Sequence, residues 1–496
     1  MPCAVCWANE RTLTPMSKTT QYDAVIVGSG PNGLAAAVTL AQAGRSVLVL
    51  EGKDTIGGGM RTLEYTLPGY RHDVCSAVHP LGVGSPFFRD IPLRDHGLQW
   101  VFPDLPLVHM MDDRGVALHQ SIDETAAGLG RDGDAYRRLF APIVKEWRGL
   151  LDEFLGPLGL PRRPLLMARF GLRAIQPATR LARGTFETEE ARALFAGMAA
   201  HITIPLEKVT TAAGGLMLGM LAHAIGWPFA RGGSQSIATA LAAYLRALGG
   251  EIQTGVWVRS MSDIPPARAV LFDVTVRDLL TIAGDELPGG YRNRLAGYRY
   301  GQGVFKVDWA LSEPVPWRDP LARRAGTLHI GGTLAEIAAG ERAIWDGRVA
   351  NPPYILFAQP SVFDPERAPQ GQAGPGLPGH VAWAYCHVPN GSTVDMTAAI
   401  EAQIERHASG FGDCIIGRHT INAVEYQAYN PNYPGGDINS GVQDWRQLFT
   451  RPVARINPYT TPNPRLFICS AATPPGGGVH GMCGYYAARA ALKGRF

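Results

Sequence analysis

Residues 22–51, YDAVIVGSGPNGLAAAVTLAQAGRSVLVLE, decide the fold. Ala24 to Val27 is a short, apolar, β-branched run. Gly28, Gly30 and Gly33 follow at G-x-G-x-x-G spacing, and Leu34 to Ala43 is alanine-rich and helical in composition. The pattern predicts strand, tight turn, helix and second strand, the βαβ unit of a dinucleotide site. The three glycines differ in what they permit. Gly28 allows the sharp turn, Gly30 lets a pyrophosphate approach the backbone, and Gly33 lets the helix lie close to the strand. The amides at the helix start, around Pro31 and Asn32, suit an anionic diphosphate. Glu51 ends the second strand, where a carboxylate accepts hydrogen bonds from ribose hydroxyls.

This unit does not by itself separate NAD from FAD. Immediately after it, Ile56 to Thr62 adds a second glycine turn (Gly57, Gly58, Gly59) followed by Met60 and Arg61. An extended FAD needs such a second close backbone approach and a cation beside it. The G-x-G-x-x-G spacing recurs from Gly128, Gly374 and Gly476, but none of these opens a second strand–helix–strand unit like residues 22–51, which speaks against a dedicated nicotinamide domain.

At 496 residues the chain exceeds one core, so two interleaved or consecutive domains are expected. Hydrophobic content of 46% and charge of 18% describe an ordinary globular enzyme. A net charge of +3 is too small to argue for a nucleic-acid partner. Seven scattered cysteines do not form a disulfide framework, so a reducing, cytoplasmic location is expected. Residues 1–21 lack a secretory pattern and read as a mobile tail, within which Met16 is a plausible natural start. Cys3 and Cys6 lack the second ligand pair that a zinc site needs, and no metal is expected.

The order of patterns gives the layout: the tail (1–21), a first part of the FAD domain (22–90), a helical substrate or cap region (91–230), a second FAD part (231–290), a substrate-domain sheet (291–454) and a third FAD part (455–496). The fold class is α/β, a Rossmann-type FAD domain interleaved with an α+β substrate domain of antiparallel sheet and helical insertion. A hairpin turned by Pro68-Gly69 leads to His72, Cys75 and His79, expected near the flavin end, where Cys75 or His79 could touch or tether the ring. From Ser121 the periodicity is helical. Arg162, Arg163, Arg169, Arg173, Arg180 and Arg183 alternate with apolar residues and no acid intervenes, a pattern that can lie on an anionic lipid surface or form a solvated basic face. The uncharged run Val209 to Ala230 is nominally long enough to span a bilayer, but its glycines, His223 and Pro228 favour a buried helix beside an apolar pocket. An amphipathic helix before Gly249-Gly250 and a strand through Val256 to Val258 read as another nucleotide-domain unit, with Val258 offering backbone to adenine. Alternating segments such as GVFKVDWAL and HVAWAYCHVP favour an antiparallel sheet with one face over a pocket, and residues 364–380 read as a surface loop.

The chain closes with a strand from Leu466 and then Thr473, Pro475, Gly476, Gly477, Gly478, Gly481 and Gly484 at T-x-P-G-G-G-x-x-G-x-x-G spacing. Together with the opening βαβ and the glycine cluster before Arg61, this resembles the phytoene desaturase family of FAD-dependent oxidoreductases, at both ends of the chain and only weakly between residues 90 and 230. The resemblance implies that the last strand and helix complete the FAD site, with Gly477, Gly478, Val479, His480 and Met482 near the flavin's pyrimidine edge. It also implies ribose on Glu51, Arg61 against the diphosphate or ribityl chain, and adenine against Val258. His480 stands where relatives often carry proline.

The activity expected is hydride transfer from a largely apolar small molecule to flavin N5, a dehydrogenase or desaturase. His480 and His79, with His223 as a third, are the candidates for proton transfer. Two other readings stay open: a flavin amine or amino-acid oxidase, and an FAD-binding protein acting mainly through structure or partners. Oxygen, a quinone or an electron-transfer protein could each accept the electrons.

Overall fold

The computed structural model describes residues 21–112, 114–157, 159–370 and 379–496. The amino-terminal tail with Cys3, Cys6 and Met16, and most of the glycine-rich loop after Gln370, lie outside the described residues.

The opening stretch forms the elements its residues spell. Tyr22–Val27 is the central strand of a five-stranded parallel sheet. The order runs Leu466–Ile468, Ala267–Phe272, Tyr22–Val27, Val47–Leu50, Glu251–Gln253. Three distant parts of the chain therefore interleave in one layer. The inner strands are apolar on both faces because both faces are covered, as a parallel sheet requires.

The helix Pro31–Gln42 begins at Gly30, with Pro31 in the first turn, where a missing N–H costs nothing. Residues Asn32 to Ala41 are all buried. Small side chains are needed because the helix is pressed on several sides: the sheet, the helix Gln235–Ala247 and the terminal helix Met482–Gly494. At two places only hydrogen fits. A Cβ on Gly33 would lie 2.1 Å from the Gly28 carbonyl oxygen, and one on Gly484 would lie 1.8 Å from that of Asn32. The first and last segments of the chain thus touch backbone to backbone.

A second sheet has seven strands, ordered Ile415–Ile421, Gly303–Leu311, His380–Val388, Ile355–Ala358, Ala325–Ile330, Leu105–Met110, Gly115–Leu118. All pairings are antiparallel except Leu105–Met110 with Ala325–Ile330, which is parallel. The sheet is thus mixed, and two of its strands come from residues 91–230, which were expected to be helical. The reason is legible afterwards: Leu105–Met110 is buried at all six positions, and a short, wholly buried run has no alternation to betray a strand. In His380–Val388 the alternation is present. Ala382, Ala384, Cys386 and Val388 join the core on one face, while Trp383 and Tyr385 face a cavity on the other.

Helices do follow from Ser121, and within the uncharged run the helix Ala212–Ala224 is mostly buried. Among the described residues no helix is long and apolar enough to cross a membrane. The strand expected through Val256 to Val258 is instead Glu251–Gln253. Gly255, at φ 75°, turns the chain out of the sheet, and Val256 to Val258 line a cavity.

Gly484→Ala should cost about 3 kcal/mol or prevent folding, because the colliding atom is backbone and has little room to yield. Gly494→Ala, with open space around it, should leave the melting temperature essentially unchanged. Equal thermal stability of the two variants would contradict this packing.

Candidate cofactor and substrate site

Two cavities of about 320 and 250 Å3 run end to end. Both are walled by Gly30, Gly58, Val274, Asn430 and Asn432, so they are two arms of one cleft. The smaller arm extends from Gly28 past Glu51 and Arg61 to Trp257 and Val258. The larger arm passes Gly59, Cys75 and His79 to Gly477, Gly478 and Val479, and ends among Leu218, Trp227, Leu356 and Trp383.

The glycine turns build the junction. A Cβ on Gly58 would lie 3.0 Å from Gly30 Cα, so the two turns face each other at backbone distance. A Cβ on Gly477 would lie 2.9 Å from the Asn439 carbonyl oxygen, which brings the third turn to the same cleft. At the helix start Pro31 has no N–H and Gly33 donates to Asp273, which leaves the Asn32 amide free. Asn32 Oδ1 is buried without a partner and its residue lines the cleft. A narrow backbone cradle with a free amide fits the diphosphate of an extended dinucleotide.

Glu51 and Arg61 form a buried pair at 3.1 Å, with residue exposures of 8% and 3%. Glu51 also accepts from Ser29 N (3.1 Å), the Ser29 hydroxyl and Lys53 N (3.0 Å). Arg61 donates further to Thr55 O through Nη2 at 2.7 Å and Nε at 3.1 Å. The carboxylate expected to hold ribose is therefore fixed in place before any ligand arrives, and the cation expected at the diphosphate is what fixes it.

The expected site residues divide clearly. Gly28, Gly30, Pro31, Asn32, Glu51, Gly58, Gly59, Arg61, Val258, Gly477, Gly478 and Val479 line the cleft. Gly33, Met60, His480 and Met482 do not. Gly33 serves the helix–strand contact, Met60 is wholly buried in the core, and Met482 opens the terminal helix. His480 is spent on backbone: its Nε2 lies 3.1 Å from Gly476 O, and its Nδ1 accepts from Met482 N at 3.0 Å. With both ring nitrogens engaged it shapes the last turn, contrary to the expectation of a proton-transfer role. His223 likewise bonds Tyr136 Oη at 2.7 Å and Gln120 O at 3.1 Å, away from the cleft.

His79 does line the cleft. Its Nε2 lies 2.9 Å from the Ser234 hydroxyl, its Nδ1 has no partner, and burial lowers its pKa to about 4. Cys75 lines the same wall, with its thiol pushed up by burial. Sequence reasoning missed Ser29, Trp257, Asn432 and, above all, Asp273. This carboxylate follows the strand Ala267–Phe272, and its Oδ2 accepts from Gly33 N at 2.8 Å. The one sequence signal was its place at the carboxyl end of a parallel strand, where α/β sheets bind ligands.

Comparison with known proteins agrees with this geometry. A family model described as an NAD(P)-binding Rossmann-like domain matches residues 26–90. A rat (Rattus norvegicus) protein named pyridine nucleotide-disulfide oxidoreductase domain-containing protein 2 is 25% identical, across 95% of this chain and 94% of its own. A limonene dehydrogenase polypeptide of Castellaniella defragrans is 29% identical over 29% of this chain and 26% of its own. The structure of cyclohexylamine oxidase from Brevibacterium oxydans superposes with a TM-score of 0.58 over 95% of this chain and 99% of that one, at 14% identity, which is a likeness of fold. The family model shows a Rossmann-like nucleotide-binding domain and the fold is one shared with an oxidase, in keeping with the FAD-dependent oxidoreductase expected from the sequence. The backbone cradle at the junction of the two arms suits that cofactor's diphosphate.

Arg61→Met should destabilise the protein by about 3 kcal/mol, because it leaves the Glu51 carboxylate buried without its cation. Adding Glu51→Gln should recover part of that loss, and a double-mutant cycle in denaturant measures the coupling. Strictly additive losses would contradict the pairing.

Proposed function

We propose that FAD lies along the three glycine turns and that the enzyme removes hydrogen from a neutral, largely apolar small molecule, as a dehydrogenase or desaturase of the phytoene desaturase-like kind. The observation that carries this reading is the charge of the larger arm: among its lining residues Asp273 is the one carboxyl group, and neither arginine nor lysine is present. Asp273 is held at the glycine turn by the Gly33 amide. An ammonium or an amino-acid carboxylate would enter that end without a counter-ion, which costs several kcal/mol.

Bound FAD supplies the two-electron acceptor. The protein's share is to hold the substrate, exclude water and take up a proton. Leu218, Trp227, Leu356 and Trp383 give the apolar wall, and Ala77 and Val78 continue it. His79, neutral at physiological pH and with a free Nδ1, can hold a proton there while Ser234 fixes its ring. His201 is the second imidazole on the wall; its Nε2 lies 3.0 Å from His329 Nε2, and burial lowers its pKa to about 3.

The fold shared with cyclohexylamine oxidase keeps amine oxidation as the competing reading. Anaerobic mixing of the yellow protein with neutral terpenoids and alkenes should bleach the flavin absorbance, whereas amines and amino acids should not. Bleaching by amines alone would overturn the substrate assignment.

The same reading includes contact with an anionic lipid surface. The helix Pro164–Ala174 buries Phe170 and Ala174 and turns Leu165 (82% exposed) and Leu172 (73% exposed) outward, with Arg169 between them. Arg162 and Arg163 precede this stripe, and no acid interrupts it. Flotation with phosphatidylserine vesicles should carry the wild-type protein up the gradient, and Leu165→Glu/Leu172→Glu should abolish this. Equal flotation with purely zwitterionic vesicles would count against it.

A further inference from the structure

The glycine turn that receives the diphosphate already holds an acid. Asp273 is bound to the first strand through its own amide, which donates to Val27 O at 2.8 Å, so its side chain points at the start of the helix Pro31–Gln42. Its Oδ2 takes the Gly33 amide and stands 2.7 Å from where a Gly30 Cβ would be. Among the described residues the Gly33 amide is the carboxyl group's one well-formed hydrogen bond, and the Gly30 amide stands close by. The residue is only 7% exposed, and that small exposure is to the cleft. A diphosphate laid across Gly30 therefore meets this carboxyl group at close range.

The surroundings offer the ionised form little. From the end of the second strand Glu51 adds a like charge; Arg61, a cation of the cleft, is committed to Glu51 and Thr55. Beyond the last strand and on the terminal helix stand Cys469 and Cys483, whose thiols burial pushes up and leaves neutral. Asp278, on the helix after Asp273, lines the other arm. The remaining neighbours in the wall, Asn32 and Asn432, are uncharged. Two anions sharing this spot would repel, whereas a neutral acid has a hydrogen to give.

Resting on the assignment of FAD to this cleft, we infer that Asp273 binds the cofactor as a carboxylic acid, donating from Oδ1 to a phosphate oxygen, so that FAD loading takes up a proton. The proton comes from the solvent buffer, and no other bond changes. Burial, with the Glu51 charge added and the Gly33 and Gly30 amides opposing, already raises the Asp273 pKa to about 7 in the unliganded protein. The incoming diphosphate raises it further. Above that pH the empty site is ionised and must gain a proton on binding; well below it the proton is already present and none is taken up.

The test is calorimetric titration of FAD into the full-length, flavin-stripped protein, in buffers of differing ionisation enthalpy. The wild type should take up close to one proton per FAD at about pH 8 and almost none at about pH 5. Its dissociation constant should weaken about tenfold per pH unit on the alkaline side. Asp273→Asn should bind FAD with no proton uptake and with affinity independent of pH across this range. FAD binding by the wild type without proton uptake at about pH 8 overturns the proposal. So does uptake retained in Asp273→Asn. If that variant does not fold, the wild-type proton count decides alone. Failure of the wild type to bind FAD at any pH overturns the cofactor assignment as well.

Discussion

The cofactor cleft depends on two backbone contacts: the start of the helix Pro31–Gln42 is wedged between the first strand and the terminal helix with no room for a side chain. Gly33 sits on the Gly28 carbonyl, and Gly484 sits on that of Asn32. Because the terminal helix starts directly after the turn Gly476–Gly481, fixing it against Asn32 also fixes that turn over the cleft. The cofactor site is then a consequence of packing. Segments that begin and end the chain meet because hydrogen-only contacts let them come closer than any other residue would allow.

The same closeness sets the electrostatics. Glu51 and Asp273 each end a strand of the parallel sheet, at its carboxyl edge, and both face the glycine turn. They are resolved by opposite means. Glu51 is given a buried arginine and two amides. Asp273 receives the Gly33 amide, with that of Gly30 close by, and no cation, and it shifts toward its neutral form. An anionic cofactor can approach an acid held this way, since the charge that would repel it is removable by one proton.

Much of this was legible in the sequence, and the parts that were not share a cause. The βαβ unit, the hairpin around Pro68-Gly69 and the terminal strand and helix carry short-range signals: glycine spacing, alternation, a turn dipeptide. The strand Leu105–Met110 carries none, because burial on both faces erases alternation, and so the second sheet looked smaller than it is. Val256 to Val258 has the composition of a strand, but Gly255 ends the strand one step earlier. His480 was singled out by position beside a motif, whereas its two hydrogen bonds to backbone depend on the fold of the turn itself. Asp273 was passed over for the converse reason. Only its place after a strand marks it locally, and its importance comes from a residue 240 positions away.

The central claim is that three glycine turns, two near the beginning of the chain and one near its end, enclose a single FAD. Hydrogen exchange read by mass spectrometry, with and without FAD, tests it most directly. Simultaneous protection of peptides covering residues 28–34, 57–61 and 474–484 on addition of FAD is the predicted result. Protection confined to the first turn, with the carboxyl-terminal turn exchanging as before, would contradict it.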